Sequence, residues 1–440
     1  MFSTEGSRLV VESAPNVLDI LCSGIMLLLG IFLFHRFVPS RQTGLLASAL
    51  MVSIFLFGVL RLQPSSPLYD PGDESLLLWG QEISSALRGE VPLAYLRQIW
   101  PGKGVWPLII GLTGLVVVDP VLLPLAINSV AIGCIFLLLW KSAEIVGVRS
   151  QWMFFGLFVL NPGLWVWGPL LMRENIFWVG FSMLILGMVS RGTTHFRVWS
   201  AWGAAGATVL IGVRDDFGSV VVGVALAWIA VEHAIYLGSR TPPVGRIRSA
   251  LVILLATGGT WLAFLFSTGS RTAPDEGSES NLADFLHSSR RVLRKDDVIS
   301  GIDTEIPLEM LRHAFFGPFP SELSGGLVFV VSGIGTQYFL IVSILALVGA
   351  SALGPGRRIV VSQTILLGCT LLAVTAFSLS NYGIQFRFKT AFVFGMVPLA
   401  VLGLEHASHT VRQFFRGRAG RANAFQRWLP GRSVNFRKQS

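Results

Sequence analysis

The sequence predicts an all-α polytopic membrane protein with about eleven transmembrane helices. Hydrophobic residues make up 52% of its 440 positions and charged residues only 13%, which leaves too little polar surface for a soluble globular protein. Several uncharged segments reach the length of about 20 residues that a helix needs to cross the hydrocarbon core. These segments lack the alternation of apolar and polar residues that is typical of membrane β-barrel strands.

The segments that we expect to cross the membrane are 17–35, 43–62, 119–140, 151–169, 175–190, 198–212, 217–237, 250–267, 327–350, 359–380 and 389–404. The first is expected to remain as a helix, because it is too long for a signal peptide and no basic region precedes it. Cys22, Cys134 and Cys369 all lie inside apolar segments. This placement favours small hydrophobic residues over metal ligands or disulfides.

The distribution of charge predicts which side of the membrane each loop occupies. One set of loops, with the tail, carries 19 basic and three acidic residues, whereas the other carries 15 basic and 22 acidic residues. Because loops rich in lysine and arginine stay in the cytoplasm, we place the first set and the C-terminus inside and the N-terminus outside. The net charge of +9 therefore indicates topology rather than nucleic-acid binding, and the tail is expected to lie on membrane lipid.

We expect one transmembrane domain, residues 1–405, followed by a basic cytoplasmic tail, residues 406–440. Two long outer loops, 63–118 and 268–326, interrupt the domain. The second loop is expected to form short amphipathic helices that cover the outer face, with His313 at the interface or in a substrate site. Loops of this length inside a compact domain are more often functional than not.

The first outer loop begins with an acidic turn that holds Asp70, Asp73 and Glu74 at the predicted membrane boundary. Ionisable residues at such a boundary are candidates for a functional site. An amphipathic helix is predicted at residues 75–87, lying on the membrane surface. An alternative role for Asp73 and Glu74 is to cap that helix, whose dipole favours acids at its start.

Residues 105–118 are apolar but are expected not to cross the membrane. A crossing helix here would move every later basic loop to the outside. The preceding Trp100 and Trp106 and the Pro-Gly pair between them are typical of a membrane interface and a helix break. We therefore expect a re-entrant or interfacial segment, with Lys103 as an interface anchor or a phosphate ligand.

Three short outer connections, 172–175, 213–217 and 381–389, carry charges at helix ends. Their candidate residues are Arg173, Glu174, Arg214, Asp215, Arg387 and Lys389. Beside the acidic turn these ends would line one outward cavity, since charges at membrane depth cost on the order of 3 kcal/mol unless paired or hydrated. A carboxylate there can deprotonate an acceptor hydroxyl, and arginine or lysine can bind a departing lipid phosphate.

Structural roles for these residues stay open at this point. Arg173 and Glu174 also suit a local ion pair that holds a helix end, and Arg214 suits an ordinary charged turn. Arg387 and Lys389 alternate with two phenylalanines, which is typical of side chains that anchor a helix at the interface.

Four segments in this order carry a resemblance to a known family. They are the acidic segment 69–74 with the helix after it, the half-segment that starts at Trp106, residues 161–174 at an outer helix end, and residues 386–389 before the last helix. Their layout over residues 60–405 resembles the GT-C superfamily of integral-membrane glycosyltransferases, which use polyprenyl-phosphate sugars.

The resemblance implies transfer of a sugar from a polyprenyl-phosphate donor to a glycan or glycolipid acceptor on the outer face. Asp73 would match the family's first-loop acid and act as the base, with Asp70 as its competitor and Glu74 beside them. Arg387 and Lys389 would hold the lipid phosphate, and direct displacement would invert the sugar.

Glu174 occupies the second-loop position where many relatives carry Asp. A divalent metal, Mg²⁺ or Mn²⁺, that bridges Asp73, Glu174 and Asp215 is the second choice of mechanism.

Two other function classes remain open. A polysaccharide polymerase or ligase that uses a lipid-diphosphate-linked glycan would need more outer arginines, and the long outer loop contains Arg290, Arg291, Arg294 and Lys295. A lipid or solute transporter would need broken helices with ionisable groups near the membrane midplane. The predicted charges lie instead at helix ends.

Overall fold

The helices that the sequence predicts can be compared with a computed structural model of the chain. The structure describes residues 16–38, 40–62, 72–91, 105–118, 120–171, 173–190, 196–214, 218, 221–226, 229, 316, 327–353, 387 and 389–409. Every regular element in these ranges is an α-helix. The predicted all-α class is therefore confirmed for the described residues.

In chain order the helices are α1 Val17–Phe37, α2 Arg41–Arg61, α3 Gly72–Leu87, α4 Val105–Thr113, α5 Leu122–Val146, α6 Gln151–Val159, α7 Pro162–Trp167, α8 Glu174–Val189, α9 Phe196–Val213, α10 Leu327–Ala352 and α11 Lys389–His409. Residues 221–226 are also helical. In the described part of the chain, five segments are long and apolar enough to cross a membrane: α1, α2, α5, the Gly333–Ala352 part of α10, and α11. These segments indicate a membrane protein.

The outward faces of these helices are also apolar. In α1, Ile25, Leu28 and Phe32 are 64%, 66% and 61% exposed, a face that suits contact with lipid. The total of eleven crossing helices stays a prediction. Segments 250–267 and 359–380 lie outside the described residues, and segment 217–237 lies only partly within them.

Close backbone contacts hold the bundle together. Helices α1, α2 and α8 pack against α5, α8 packs against α9, and α7 packs against α10. A Cβ added to Gly206 of α9 would lie 2.7 Å from the carbonyl oxygen of Gly180 in α8. Gly349 of α10 likewise lies against the backbone of Leu399 and Gly403 in α11. Small residues at these contacts let helices approach closely, as is common in membranes.

A side-chain cap joins α1 to α5 at one end of the bundle, which we call the site end. The carboxylate of Asp19, near the start of α1, accepts the backbone N–H groups of Val121, Leu122 and Leu123 at 2.8–3.0 Å. Asp19 is only 1% exposed. One helix thus satisfies the N-terminal donors of another, which have no partner inside α5 itself.

The opposite end of the bundle is held by a second carboxylate. Glu405 of α11 accepts the backbone N–H groups of Arg149 and Ser150 at 3.0 and 2.6 Å. The Nε2 of Gln151 donates to Oγ1 of Thr43 in α2 at 2.6 Å. The basic loops before α2 and before α6 therefore lie at the same end, as their charge predicts.

Helix α4 lies at the site end and does not cross the bundle. It has nine residues, or ~13.5 Å at 1.5 Å per residue, which is less than half of the hydrocarbon thickness. Trp106 Nε1 at its start donates to the carbonyl of Leu171 at 2.7 Å, and the turn after it leads to Val121 at the Asp19 cap. Residues 105–118 therefore do not form a helix long enough to cross the membrane, and the expectation of a re-entrant or interfacial segment stays a prediction.

The predicted crossing helix at 151–169 is wrong as a single helix. Helix α6 ends at Val159, and α7 begins at Pro162. Asn161 caps α7 by accepting the N–H of Gly163 at 3.0 Å. Proline lacks an N–H and its ring excludes the carbonyl of the preceding turn, so a continuous helix breaks here.

We predict that Asp19→Ala lowers the free energy of unfolding by about 1–2 kcal/mol, because three backbone N–H groups lose a charged acceptor. The matched control is Ser23→Ala, since the Ser23 hydroxyl donates only to the carbonyl of Asp19 within the same helix. Its effect should stay within about 0.5 kcal/mol. Thermal unfolding in detergent measures both, and equal losses in the two variants would contradict the cap.

Candidate functional site

Glu174 is the centre of a buried charged cluster at the site end. It is the first residue of α8 and is 4% exposed. Its Oε1 lies 3.3 Å from Nη1 of Arg387 and 3.9 Å from Nη1 of Arg214. One carboxylate thus connects α8 with the end of α9 and the start of α11. We call Glu174, Arg173, Arg214 and Arg387 the arginine cluster.

Side-chain amides hold the turn before Glu174 in place. Asn175 Nδ2 donates to the carbonyl of Gly168 at 2.6 Å, and Asn128 Nδ2 of α5 donates to that of Leu170 at 2.6 Å. Both asparagines are buried. Because buried carbonyls need hydrogen bonds, these contacts stabilise the turn and the position of Glu174.

The guanidinium of Arg387 has a second support in Trp167, the last residue of α7. Its Cζ lies 4.7 Å from the centroid of the Trp167 ring. A cation over an aromatic face gains about 0.5–2 kcal/mol, the larger values applying when the pair is shielded from water. Glu174 and Trp167 together therefore fix both the position and the orientation of this cation.

The described members of the arginine cluster carry a net positive charge. Arg173, Arg214 and Arg387 all interact electrostatically with Glu174, so three guanidinium groups face one carboxylate. The N-terminus of α8 adds a dipole of the same sign. Within the described residues Oε2 of Glu174 has no hydrogen-bond partner. Guanidinium groups held in place in a site shielded from water are suited to charge-assisted hydrogen bonds with an anion.

Lys389 lies in the first turn of α11, two residues after Arg387. It is buried, and its Nζ donates to Oγ1 of Thr336 in α10 at 3.5 Å. A small cleft beside it has room for about one water molecule. The cleft is lined by Asn161, Gly163, Val166, Trp167, Val331, Gly335, Lys389, Thr390 and Val393. Trp167 therefore borders both this cleft and the guanidinium of Arg387.

Asp73 and Glu74 lie in the first turn of α3, which begins at Gly72 rather than at the predicted residue 75. The structure describes the backbone of both residues. This placement agrees with either predicted role, as helix-start acids or as members of a site.

The packing of α3 on α4 shows which way the start of α3 points. Gly80 of α3 meets Ile110 of α4, and Ser84 meets Gly114 further along both helices. The contacts run in the same order, so the two N-termini point in the same direction. Val105 at the start of α4 meets Gly212, two residues before Arg214. The start of α3 therefore lies at the same end of the α3–α4 pair as Val105, the residue of α4 that meets Gly212 of α9.

Four predicted site residues, Asp70, Lys103, Asp215 and His313, lie outside the described residues. Of the predicted metal ligands only Glu174 has a described side chain, and its Oε1 is already engaged by two guanidinium groups. In the described part of the chain no three His, Cys, Asp or Glu side chains come together. The roles of these residues stay predictions.

Sequence reasoning missed the parts of the site that carry no charge. Trp167 and Asn175 are ordinary residues in an apolar stretch, and nothing in the sequence pairs Trp167 with Arg387. Asn161 was recognisable, since Asn followed by Pro is typical of a helix start.

No protein-family model matches the sequence, and neither a curated protein nor a solved structure shows significant similarity to it. The resemblance to the GT-C superfamily therefore rests on the residues named above.

We predict that Glu174→Ala lowers the free energy of unfolding by about 3–5 kcal/mol, because it leaves buried guanidinium groups without their carboxylate. The matched control is Glu144→Ala, which removes a partly exposed ion pair with Lys141. Such a pair contributes about 0–1 kcal/mol. Unfolding in detergent compares the two variants, and a Glu174→Ala effect no larger than the control would show that the cluster does not stabilise the helix ends.

Proposed function

We propose that the protein is a membrane glycosyltransferase of GT-C type that moves a sugar from a polyprenyl-phosphate donor to a glycan or glycolipid acceptor. The observation that carries the proposal is the buried arginine cluster at the site end, where Glu174 holds the guanidinium groups of Arg214 and Arg387 at 3.9 and 3.3 Å. A site that combines fixed cations with a nearby carboxylate suits the departure of a phosphate and the activation of a hydroxyl.

In the proposed reaction an acceptor hydroxyl oxygen attacks C1 of the sugar from the face opposite the lipid phosphate. The bond between C1 and the phosphate oxygen breaks, and its electron pair leaves with the phosphate. Asp73 takes the hydroxyl proton, with Asp70 as the competing base and Glu74 next to it. Arg387 and Arg214 stabilise the charge on the departing phosphate. The configuration at C1 is inverted.

Glu174 has a positioning role in this scheme. Its carboxylate is paired with two guanidinium groups at 3.3 and 3.9 Å, which makes it a poor base and holds both cations in place. The base is therefore assigned to Asp73. In a second version of the mechanism Asp73, Glu174 and Asp215 would hold Mg²⁺ or Mn²⁺, and the metal would supply Lewis-acid stabilisation of the departing phosphate, so a chelator would abolish transfer.

The proposed orientation in the cell membrane places the N-terminus and the site end outside and the tail, 406–440, in the cytoplasm. Its support is the shared location of the basic loops before α2 and α6 at the opposite end. The active site then faces the outer leaflet.

The second candidate function is a polymerase or ligase that uses a lipid-diphosphate-linked glycan. Lys389 favours it, because this residue places another cation beside the arginine cluster. A transporter has less support, because the buried charges in the described residues lie at the ends of their own helices, although Lys389 lines a cleft at the break between α6 and α7, a feature that favours a transporter. These charges are Asp19, Arg61, Glu174, Arg214 and Lys389.

We predict that Asp73→Asn lowers kcat for sugar transfer by about 100-fold or more, because the acceptor proton loses its base. Arg387→Gln is expected to raise the donor KM by about tenfold or more, because a charge-assisted contact to phosphate is lost. Both are measured with purified protein, a radiolabelled polyprenyl-phosphate sugar and candidate acceptors. Lys141→Gln at the opposite end is the control and should match the wild type.

Retention of full transfer by Asp73→Asn would remove Asp73 as the base. Movement of the lipid between leaflets without covalent change would favour the transporter. Transfer that stops on addition of a chelator would favour the metal version of the mechanism.

The orientation is tested with Ser3→Cys and Ser440→Cys, each in a chain whose three native cysteines are replaced by serine. A membrane-impermeant maleimide added to intact cells is expected to label the first variant and to spare the second until the cells are opened, as the charge distribution predicts. The reverse pattern would place the site end in the cytoplasm.

A further inference from the structure

We propose that Arg36, Arg41 and Arg149, at the end of the bundle opposite the site end, form a binding site for the headgroup of an anionic phospholipid. We call these three residues the opposite-end arginines. They lie in the last turn of α1, at the first position of α2 and just before the start of α6. This site is separate from the arginine cluster, and it does not depend on the proposed sugar transfer.

A hydrogen bond between the starts of α2 and α6 brings two of these arginines to the same place. Nε2 of Gln151 donates to Oγ1 of Thr43 at 2.6 Å. Arg41 precedes Thr43 by two residues, and Arg149 precedes Gln151 by two residues. Both arginines therefore lie within two residues of one contact.

The end of α1 lies against the same part of α2. A Cβ added to Gly44 would lie 3.1 Å from the carbonyl oxygen of Phe34. Arg36 follows Phe34 by two residues, and Arg41 precedes Gly44 by three. The opposite-end arginines therefore lie around the junction of α1, α2 and α6.

The charge of the opposite-end arginines is available to an anion from outside the chain. All three are exposed, and none of them has a carboxylate partner among the described residues. The acids at this end have other partners. Glu144 pairs with Lys141 at 2.9 Å, and Glu405 accepts backbone N–H groups at the start of α6. Guanidinium groups that are close together and not paired are suited to a phosphate, which accepts two N–H groups from each of them.

Apolar side chains beside these arginines favour a lipid over a free phosphate ion. Each arginine is followed, one to four positions later, by a large apolar residue that is more than half exposed. These residues are Phe37, Leu45 and Trp152, which are 74%, 58% and 62% exposed. Tryptophan is typical of the membrane interface, and basic groups between transmembrane helices bind anionic headgroups. The guanidinium groups would hold the phosphate, and the apolar residues would contact the acyl chains.

The test is native mass spectrometry of the full-length protein, titrated in detergent with phosphatidylglycerol and, separately, with phosphatidylcholine. Phosphatidylglycerol carries a net negative charge, whereas the choline group cancels the charge of the phosphate in phosphatidylcholine. The wild type is expected to bind phosphatidylglycerol at least about tenfold more tightly. Glycerol 3-phosphate, which has a phosphate but no acyl chains, is expected not to compete at the same concentration.

The single variants are Arg36→Gln, Arg41→Gln and Arg149→Gln. Each is expected to lower the affinity for phosphatidylglycerol about fivefold, and the three changes together should abolish the preference over phosphatidylcholine. Lys141→Gln is the matched control at the same end. Its ammonium group is already paired with Glu144, so its affinity should change less than about twofold. Thermal unfolding checks that each variant folds, and if the triple variant does not, the single variants decide.

A second control separates a defined site from general attraction between basic protein and acidic lipid. Arg412→Gln, Arg416→Gln and Arg418→Gln together remove the same charge from the basic tail, and this variant should keep the preference. An equal loss in the tail variant and in the opposite-end variant would overturn the site. Equal wild-type affinities for the two lipids would also overturn it. Competition by glycerol 3-phosphate would show that the occupant is a soluble phosphate and not a lipid.

Discussion

The pairing of the Glu174 carboxylate with the guanidinium groups of Arg214 and Arg387 is the contact on which the site end depends. It joins three helices at a place where little water screens charge, so each partner stabilises the others strongly. The arrangement also has a functional consequence. A single carboxylate holds the guanidinium groups of Arg214 and Arg387 in place at one end of the bundle.

The middle and the ends of the bundle are held together by different contacts. Near the middle, glycines such as Gly180 and Gly206 allow backbones to touch. At the ends, Asp19 and Glu405 satisfy the free N–H groups where α5 and α6 begin. Backbone groups in hydrocarbon must be satisfied within the protein, so such caps set where each helix starts. Helices whose ends are held in this way can position reactive side chains.

Sequence reasoning succeeded where hydropathy and charge carry the information. The length of the apolar segments predicts where α1 and α8 start. Loop charge predicts which helix ends lie together. The sequence also predicted that Glu174, Arg214 and Arg387 meet. The prediction of one helix over 151–169 failed at residue 161, because the apolar segment continues through Pro162 whereas a new helix begins there. Sequence reasoning also could not find the Trp167 contact or the Asp19 cap. Both depend on how distant helices pack, which local pattern does not encode.

The central claim is that the acids at the start of α3 and the cations at the start of α11 share one end of the bundle. The most direct measurement is a pulsed electron–electron distance between spin labels on Ser75→Cys and Phe386→Cys, in a chain without native cysteines. The account predicts a distance well below the roughly 30 Å thickness of the hydrocarbon core. A distance of about 30 Å or more, as for labels on opposite leaflets, would contradict it.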